Sequence, residues 1–188
     1  MNSMTKFGRV AMASALWLAT IGLPAHAASV ELVGPATSTV KVGDTFMVSV
    51  KGFDFAGLDG GGADLSFASG LVELLSVAVD PAWDFFSAPG DIDNTAGTLT
   101  GLSFNVWGPK SGNFDIASLT FRAKAAGIAD IDLLPSVIWP FGLGGDIVDV
   151  GLVGTQVQIA SSVPEPAVWA MLLAGVAVIG VRRAGKRT

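Results

Sequence analysis

Apolar and polar residues alternate with period two over a series of short runs in the middle of the chain. Phe46, Val48 and Val50 alternate with Thr45, Ser49 and Lys51. The same spacing links Ala63, Leu65 and Phe67, then Leu75, Val77 and Val79, then Leu102, Phe104 and Val106. It returns in Leu119, Phe121 and Ala123, and in Thr155, Val157 and Ile159. Successive side chains of a strand point to opposite faces, so these runs predict half-buried strands with one face on a core. Turn-forming stretches separate them: Lys41-Val42-Gly43-Asp44, Gly60-Gly61-Gly62, Ala88-Pro89-Gly90, Ala96-Gly97, Lys110-Ser111-Gly112-Asn113, Ala126-Gly127 and residues 142–145. No run has a long helical period. The pattern predicts an all-β sandwich or jelly roll of about nine strands over residues 28–162.

The two ends break this pattern. Residues 1–27 have the layout of a secretory signal peptide. Lys6 and Arg9 precede an uncharged apolar run, Pro24 ends it, and Ala25-His26-Ala27 places small residues where signal peptidase tests them. Export by the Sec translocon and cleavage before Ala28 are expected. His26 is the only histidine and there is no cysteine. A chain cleaved there has no imidazole for metal binding or acid–base work, no thiol nucleophile and no disulfide.

Residues 163–188 begin with Val163-Pro164-Glu165-Pro166, continue through an uncharged apolar stretch at 167–181, read as a transmembrane helix, and close on a basic end at 182–188. Fifteen helical residues span about 22 Å, short of a hydrocarbon core of about 30 Å. Trp169 and snorkelling arginines can cover the difference. Basic residues stay on the cytoplasmic side, which places the middle of the chain outside. This tail resembles the PEP-CTERM sorting signal of Gram-negative bacteria. The resemblance implies recognition by an exosortase through Pro164, Glu165, Pro166, Arg182 and Arg183. It further implies a passage through the inner membrane to the envelope surface or extracellular matrix.

Charge sharpens the reading of the middle. The mean hydropathy of +0.58 is raised by the two ends. Residues 28–162 hold thirteen aspartates and two glutamates against five basic residues, a net charge near −10. Such a surface repels nucleic acid and anionic membranes. It keeps an exported domain solvated, and it also attracts calcium or a basic partner.

Four segments of the middle share a second resemblance. They are V-G-D-T-F-M-V-S-V from Val42, A-D-L-S-F-A-S-G-L-V-E-L-L-S-V from Ala63, I-D-N-T-A-G-T-L from Ile92, and S-G-N-F-D-I-A-S-L-T-F-R-A-K-A-A-G from Ser111. In this order they resemble a cohesin-type domain, which implies a nine-stranded jelly roll. Cohesins bind dockerin modules in cellulosomes, and related folds bind carbohydrate. No dockerin-contact motif is placed in this chain, so the resemblance extends to the fold and not to that partner.

Candidate chemistry is sparse. Asp91, Asp93 and Asn94 offer hard oxygen ligands for Ca²⁺ but do not match an EF-hand loop, and an Asx-capped turn is the preferred reading. Asp59 and Asp64 flank the glycine run, whose lack of a following helix makes it a poor phosphate cradle and a better bulged strand connection. Trp83, Phe85, Phe86, Trp107, Trp139 and Phe141 can form a sugar-stacking platform, although packing in core or loops is preferred. Residues 81–90 are the best candidate for an exposed aromatic segment. No carboxylate pair is marked for glycoside cleavage. The sequence is read as a non-catalytic exported surface or matrix protein without catalytic residues or cofactor, binding a protein module or a polysaccharide. The alternatives are a structural matrix component with no ligand and a glycoside hydrolase.

Overall fold

The computed structural model describes residues 27–35 and 39–161. The expected secretory signal up to His26 and the expected sorting tail from Val163 lie outside the described residues. Among the described residues there are twelve strand segments and no helix. They are β1 (Ser29–Val33), β2 (Val40–Lys41), β3 (Thr45–Phe67), β4 (Val72–Val79), β5 (Phe86–Ala88) and β6 (Asp91–Asp93). β7 (Thr98–Ala123), β8 (Gly127–Pro135), β9 (Gly142–Leu143), β10 (Asp146–Ile147), β11 (Gly151–Val153) and β12 (Thr155–Ala160) follow.

Two long strands organise the fold. β3 and β7 pair antiparallel from Thr45 opposite Arg122 to Ser66 opposite Thr98, and the ladder slips at several points between. Bulges bend a strand pair and increase its twist. The two halves of the ribbon thereby enter different sheets. One sheet runs β11, β1, the first half of β3, the second half of β7, then β4. The other runs β2, β12, β8, the second half of β3, the first half of β7, then β5 and β6. β1 with β11, and β2 with β12, are the parallel pairs.

The inner faces of both sheets meet in one core. Val48, Val50, Leu65, Leu102, Leu119, Phe121, Ala129, Ile131, Val157 and Ile159 are all buried there. Phe121 stacks on Phe46 of its own sheet at 5.7 Å and meets Phe67 of the opposite sheet edge-on at 5.5 Å. The alternation in the sequence therefore marks the core face at 46, 48 and 50, at 63, 65 and 67, at 119, 121 and 123, and at 157 and 159.

Three expectations are corrected. The runs at 45–51 and 63–67 are two halves of one strand, and those at 102–106 and 119–123 are halves of another. Gly60-Gly61-Gly62 and Lys110-Ser111-Gly112-Asn113 are not turns between strands but lie inside β3 and β7, with slipped pairing beside the glycine run that agrees with its other reading as a bulged strand connection. Leu75 does not share a face with Val77 and Val79. It is the extra residue of a bulge between Leu74 and Ser76, so Val72 and Leu74 are buried while Leu75 is exposed.

Beside that bulge the backbone of Leu74 is held by a side chain. Asn94 accepts a hydrogen bond from Leu74 N–H at 2.7 Å and donates to Leu74 C=O at 3.0 Å, standing in for a strand along the edge of β4 that pairs with no other. Asn94→Ala leaves two backbone groups without their partner, and a part-buried group stripped in this way costs roughly 1–3 kcal/mol. Urea denaturation should show that loss with an unchanged slope. A loss below about 0.5 kcal/mol, the scale of ordinary surface substitutions, would contradict this role.

Candidate functional site: an aromatic cleft at one pole

β12 ends at Ala160 beside Lys41, close to the start of β8, whose Gly127 pairs with Ile159. β8 then runs to Pro135 at the far pole, roughly 26 Å away at about 3.3 Å per residue. The loop 136–141 leaves from there. It meets the bend of the β3–β7 ribbon and the segment leading into β5. These pieces enclose an open cleft of about 520 Å³, with Gly60, Gly61 and Asn105 along it and Phe85, Phe86 and Trp139 around it.

The glycines form the cleft because nothing larger fits. A Cβ on Gly60 would collide with the Phe104 carbonyl oxygen and lie 2.8 Å from Asn105 Cα. One on Gly61 would lie 2.6 Å from the Phe141 ring. Opposite this point β7 carries surplus residues: Leu58 pairs with Lys110 and Gly60 with Asn105, so residues 106–109 bulge outward and present Trp107. Trp107 is 77% exposed.

Residues 81–90 are anchored by Trp83. Its ring is buried between Phe104 and Phe114, at 4.6 and 5.4 Å, and its indole N–H donates to Asp115 C=O at 3.0 Å. The Lys110 ammonium lies 5.1 Å from that ring. With Trp83 fixed, the next aromatic pair faces out. Phe85 donates its N–H to Asn105 C=O at 3.2 Å and packs edge-on against Trp107 at 4.2 Å. Phe86 lies 5.8 Å from Trp139 with the rings tilted by 37°. Trp139 N–H donates to Ser136 Oγ at 3.3 Å.

The opposite lip is a hairpin. Leu143 pairs with Asp146 across Gly144 and Gly145, both at positive φ (62° and 93°), as a tight two-residue turn requires. Asp59 Oδ2 accepts the Gly144 N–H at 2.6 Å, tying the lip to β3. The cleft thus combines aromatic faces with one carboxylate and one amide. Its groups stack and hydrogen-bond.

Of the six aromatics read from the sequence, Trp83 and Phe141 pack in the core, while Phe85, Phe86 and Trp139 are exposed around the cleft and Trp107 is exposed beside Phe85. For Trp107 and Trp139 packing in the core is corrected, since both rings pack at the surface, and Phe85 and Phe86 are the exposed aromatics expected within residues 81–90. Asn105 and the exposed Val137 and Ile138 beside Trp139 were missed. Asn105 read only as the polar partner in an alternating strand.

The other candidates fall elsewhere. Asp93 Oδ1 accepts Thr95 N–H at 2.8 Å and Ala96 N–H at 2.9 Å, the Asx-capped turn expected from sequence. Asn94 is held by Leu74, and Asp91 is exposed on β6. Asp64 accepts the Gly101 N–H at 2.8 Å and does not join Asp59. Among the described residues no three acidic side chains are placed to hold a metal ion. Ala27 is exposed at the start of the described chain, while Ala25, Pro164, Glu165, Pro166, Arg182 and Arg183 lie outside it. Among the described residues no helix is long and apolar enough to cross a membrane.

No protein-family model and no curated protein sequence matches the chain. Solved structures do. A type I cohesin of ScaB from Pseudobacteroides cellulosolvens is 17% identical with a TM-score of 0.54, covering 74% of this chain and 96% of its own. A non-cellulosomal cohesin from the archaeon Archaeoglobus fulgidus is 15% identical with a TM-score of 0.53, covering 75% and 95%. A type I cohesin–dockerin complex from Clostridium thermocellum gives 11% identity and a TM-score of 0.57, covering 71% and 99%. The described residues therefore have the cohesin-type jelly-roll fold, matched along nearly the whole length of each cohesin.

Proposed function

We propose that this chain is an exported, non-catalytic binding module that holds a partner protein module or a polysaccharide at the envelope surface or in the extracellular matrix. The observation behind this reading is the exposed aromatic cleft at one pole of a cohesin-type sandwich. One of the similar structures is a cohesin bound to a dockerin, which favours a module that works by association. The address rests on sequence. Sec export and signal peptidase follow from residues 1–27, and an exosortase would act on the tail through Pro164, Glu165, Pro166, Arg182 and Arg183. In that reading the inner membrane is a transit station.

One experiment on the producing cells tests both halves. The wild-type chain should fractionate with the surface or matrix, and a variant with Pro164, Glu165 and Pro166 replaced by alanine should stay in the inner membrane with its tail attached. Labelled module comprising residues 28–161, added to the same cells, should bind saturably. Surface display of the alanine variant at unchanged mass would overturn the address. Absence of saturable labelling would overturn the binding role.

A further inference from the structure

We propose that the aromatic cleft binds a neutral polysaccharide, seating pyranose rings against Trp139 and Phe86 with Asp59 and Asn105 engaging ring hydroxyls. This rests on the binding role above and names its ligand class and site.

The first argument is exposure. Single exposed apolar residues are ordinary, but a contiguous cluster on a soluble surface marks an interaction site. Here Phe85, Phe86 and Trp139 line one concavity while 51%, 45% and 43% exposed, and Trp107, 77% exposed, packs against Phe85 beside it. They sit on a module with fifteen acidic and five basic residues, whose surface is otherwise built for water.

The second is rigidity. The rings brace one another in pairs, Phe85 on Trp107 and Phe86 on Trp139, and each pair includes a residue fixed through its backbone amide. The strands behind them approach closely, leaving no room for a side chain between Gly60 and β7 or between Gly61 and Phe141. A preorganised site loses little freedom on binding.

The third is chemistry. The cleft volume of about 520 Å³ falls in the range of small-ligand sites, and the cleft opens to solvent. A pyranose ring has a face of C–H groups and a rim of hydroxyls. The C–H face suits the electron-rich face of an aromatic ring. The hydroxyls suit a carboxylate and a primary amide, which accept and donate in a plane. Asp59 Oδ2 is used by Gly144, while Oδ1 has no partner among the described residues. A purely aliphatic occupant would bury Asp59 and Asn105 without replacing their water, which costs free energy.

The fourth is charge. No lysine or arginine lines the cleft, Asp59 does, and the module is near −10. A uronate or sulfated polymer would be repelled, which leaves a neutral one. The cleft also lies at the pole opposite Ala160, so a chain anchored through its carboxyl end presents it away from the membrane.

The test is affinity electrophoresis of residues 28–161 in gels containing laminarin, hydroxyethylcellulose, xyloglucan or galactomannan, with polygalacturonate as the anionic comparison. At least one neutral polymer should retard the module and shift its tryptophan fluorescence saturably. Trp139→Ala and Phe86→Ala should each weaken retardation at least tenfold. Met47→Ala, an exposed apolar change outside the cleft, should leave it unchanged. Circular dichroism of each variant confirms that the fold is intact.

Retardation by none of the four neutral polymers overturns the proposal. So does retardation by polygalacturonate alone, or neutral binding that survives both cleft substitutions. The cell-labelling experiment separates this from the broader reading. Saturable labelling without neutral-polymer binding removes the glycan and leaves the binding module standing.

Discussion

Phe121→Ala lowers the stability of residues 28–161 by about 3–5 kcal/mol, the cost of removing a large side chain from a core that cannot collapse around the hole. Phe121 is fully buried. It stands at the centre of the first sheet, with Phe46 of β3 beside it in one direction and Leu74 of β4 in the other. It also reaches across to Phe67 of the second sheet. Its loss therefore opens a cavity bounded by both layers, and neither layer can close it without breaking its own ladder. The wild-type module should be β-rich by circular dichroism and melt in one cooperative transition. For a domain of this size the variant should melt on the order of 10 °C lower. Met47→Ala, one residue along from Phe46 but 55% exposed, should change stability by no more than about 0.5 kcal/mol. Comparable losses for both would mean that the two sheets do not share the core described.

How much of this was legible beforehand depends on the physical range of each signal. Alternation is local, and it placed Phe46, Val48, Val50, Leu119, Phe121, Val157 and Ile159 on the core face. A bulge adds one residue without changing composition, so nothing in L-V-E-L-L-S-V says that Leu74 is buried and Leu75 is not; that is set by β7 across the ladder. β9, β10 and β11 span only two or three residues each, too short for any period. The division of the aromatics is a tertiary fact. Trp83 is buried because its indole reaches Asp115, 32 residues further on, whereas Trp107 is exposed because the ribbon has surplus length opposite Asp59. One clue to the exposed set was present. Phe85 and Phe86 are adjacent, and a strand with one buried face cannot bury both. The cohesin-type fold was legible from the order of four segments. The cleft was not, because its walls come from four separate places in the chain.

The glycine run offers the sharpest separation between a turn and a site. Read locally, Gly60-Gly61-Gly62 interrupts a strand, and glycine in a turn tolerates alanine wherever φ is negative and space is open. In the structure none of the three has positive φ, so conformational freedom does not explain them. Proximity does. A Cβ on Gly60 is driven into the Phe104 carbonyl and lies 2.8 Å from Asn105 Cα, and both obstacles are backbone of the paired strand. No rotamer change relieves that contact; β7 must move, and with it the Asn105 carbonyl that holds Phe85. Overpacking of a well-filled interior costs typically 1–3 kcal/mol, and with backbone on the receiving side Gly60→Ala belongs at about 3 kcal/mol or more. The same shift should disturb the cleft, so tryptophan fluorescence of the folded fraction should change and neutral-polymer retardation should fall. Gly108→Ala is the matched comparison, since its added Cβ meets nothing within 4 Å and its φ is not positive. It should be neutral, or more stable by about 0.4–1 kcal/mol through the unfolded chain. If Gly60→Ala behaves like Gly108→Ala, β3 and β7 do not pair closely at Gly60 and the cleft has no fixed floor.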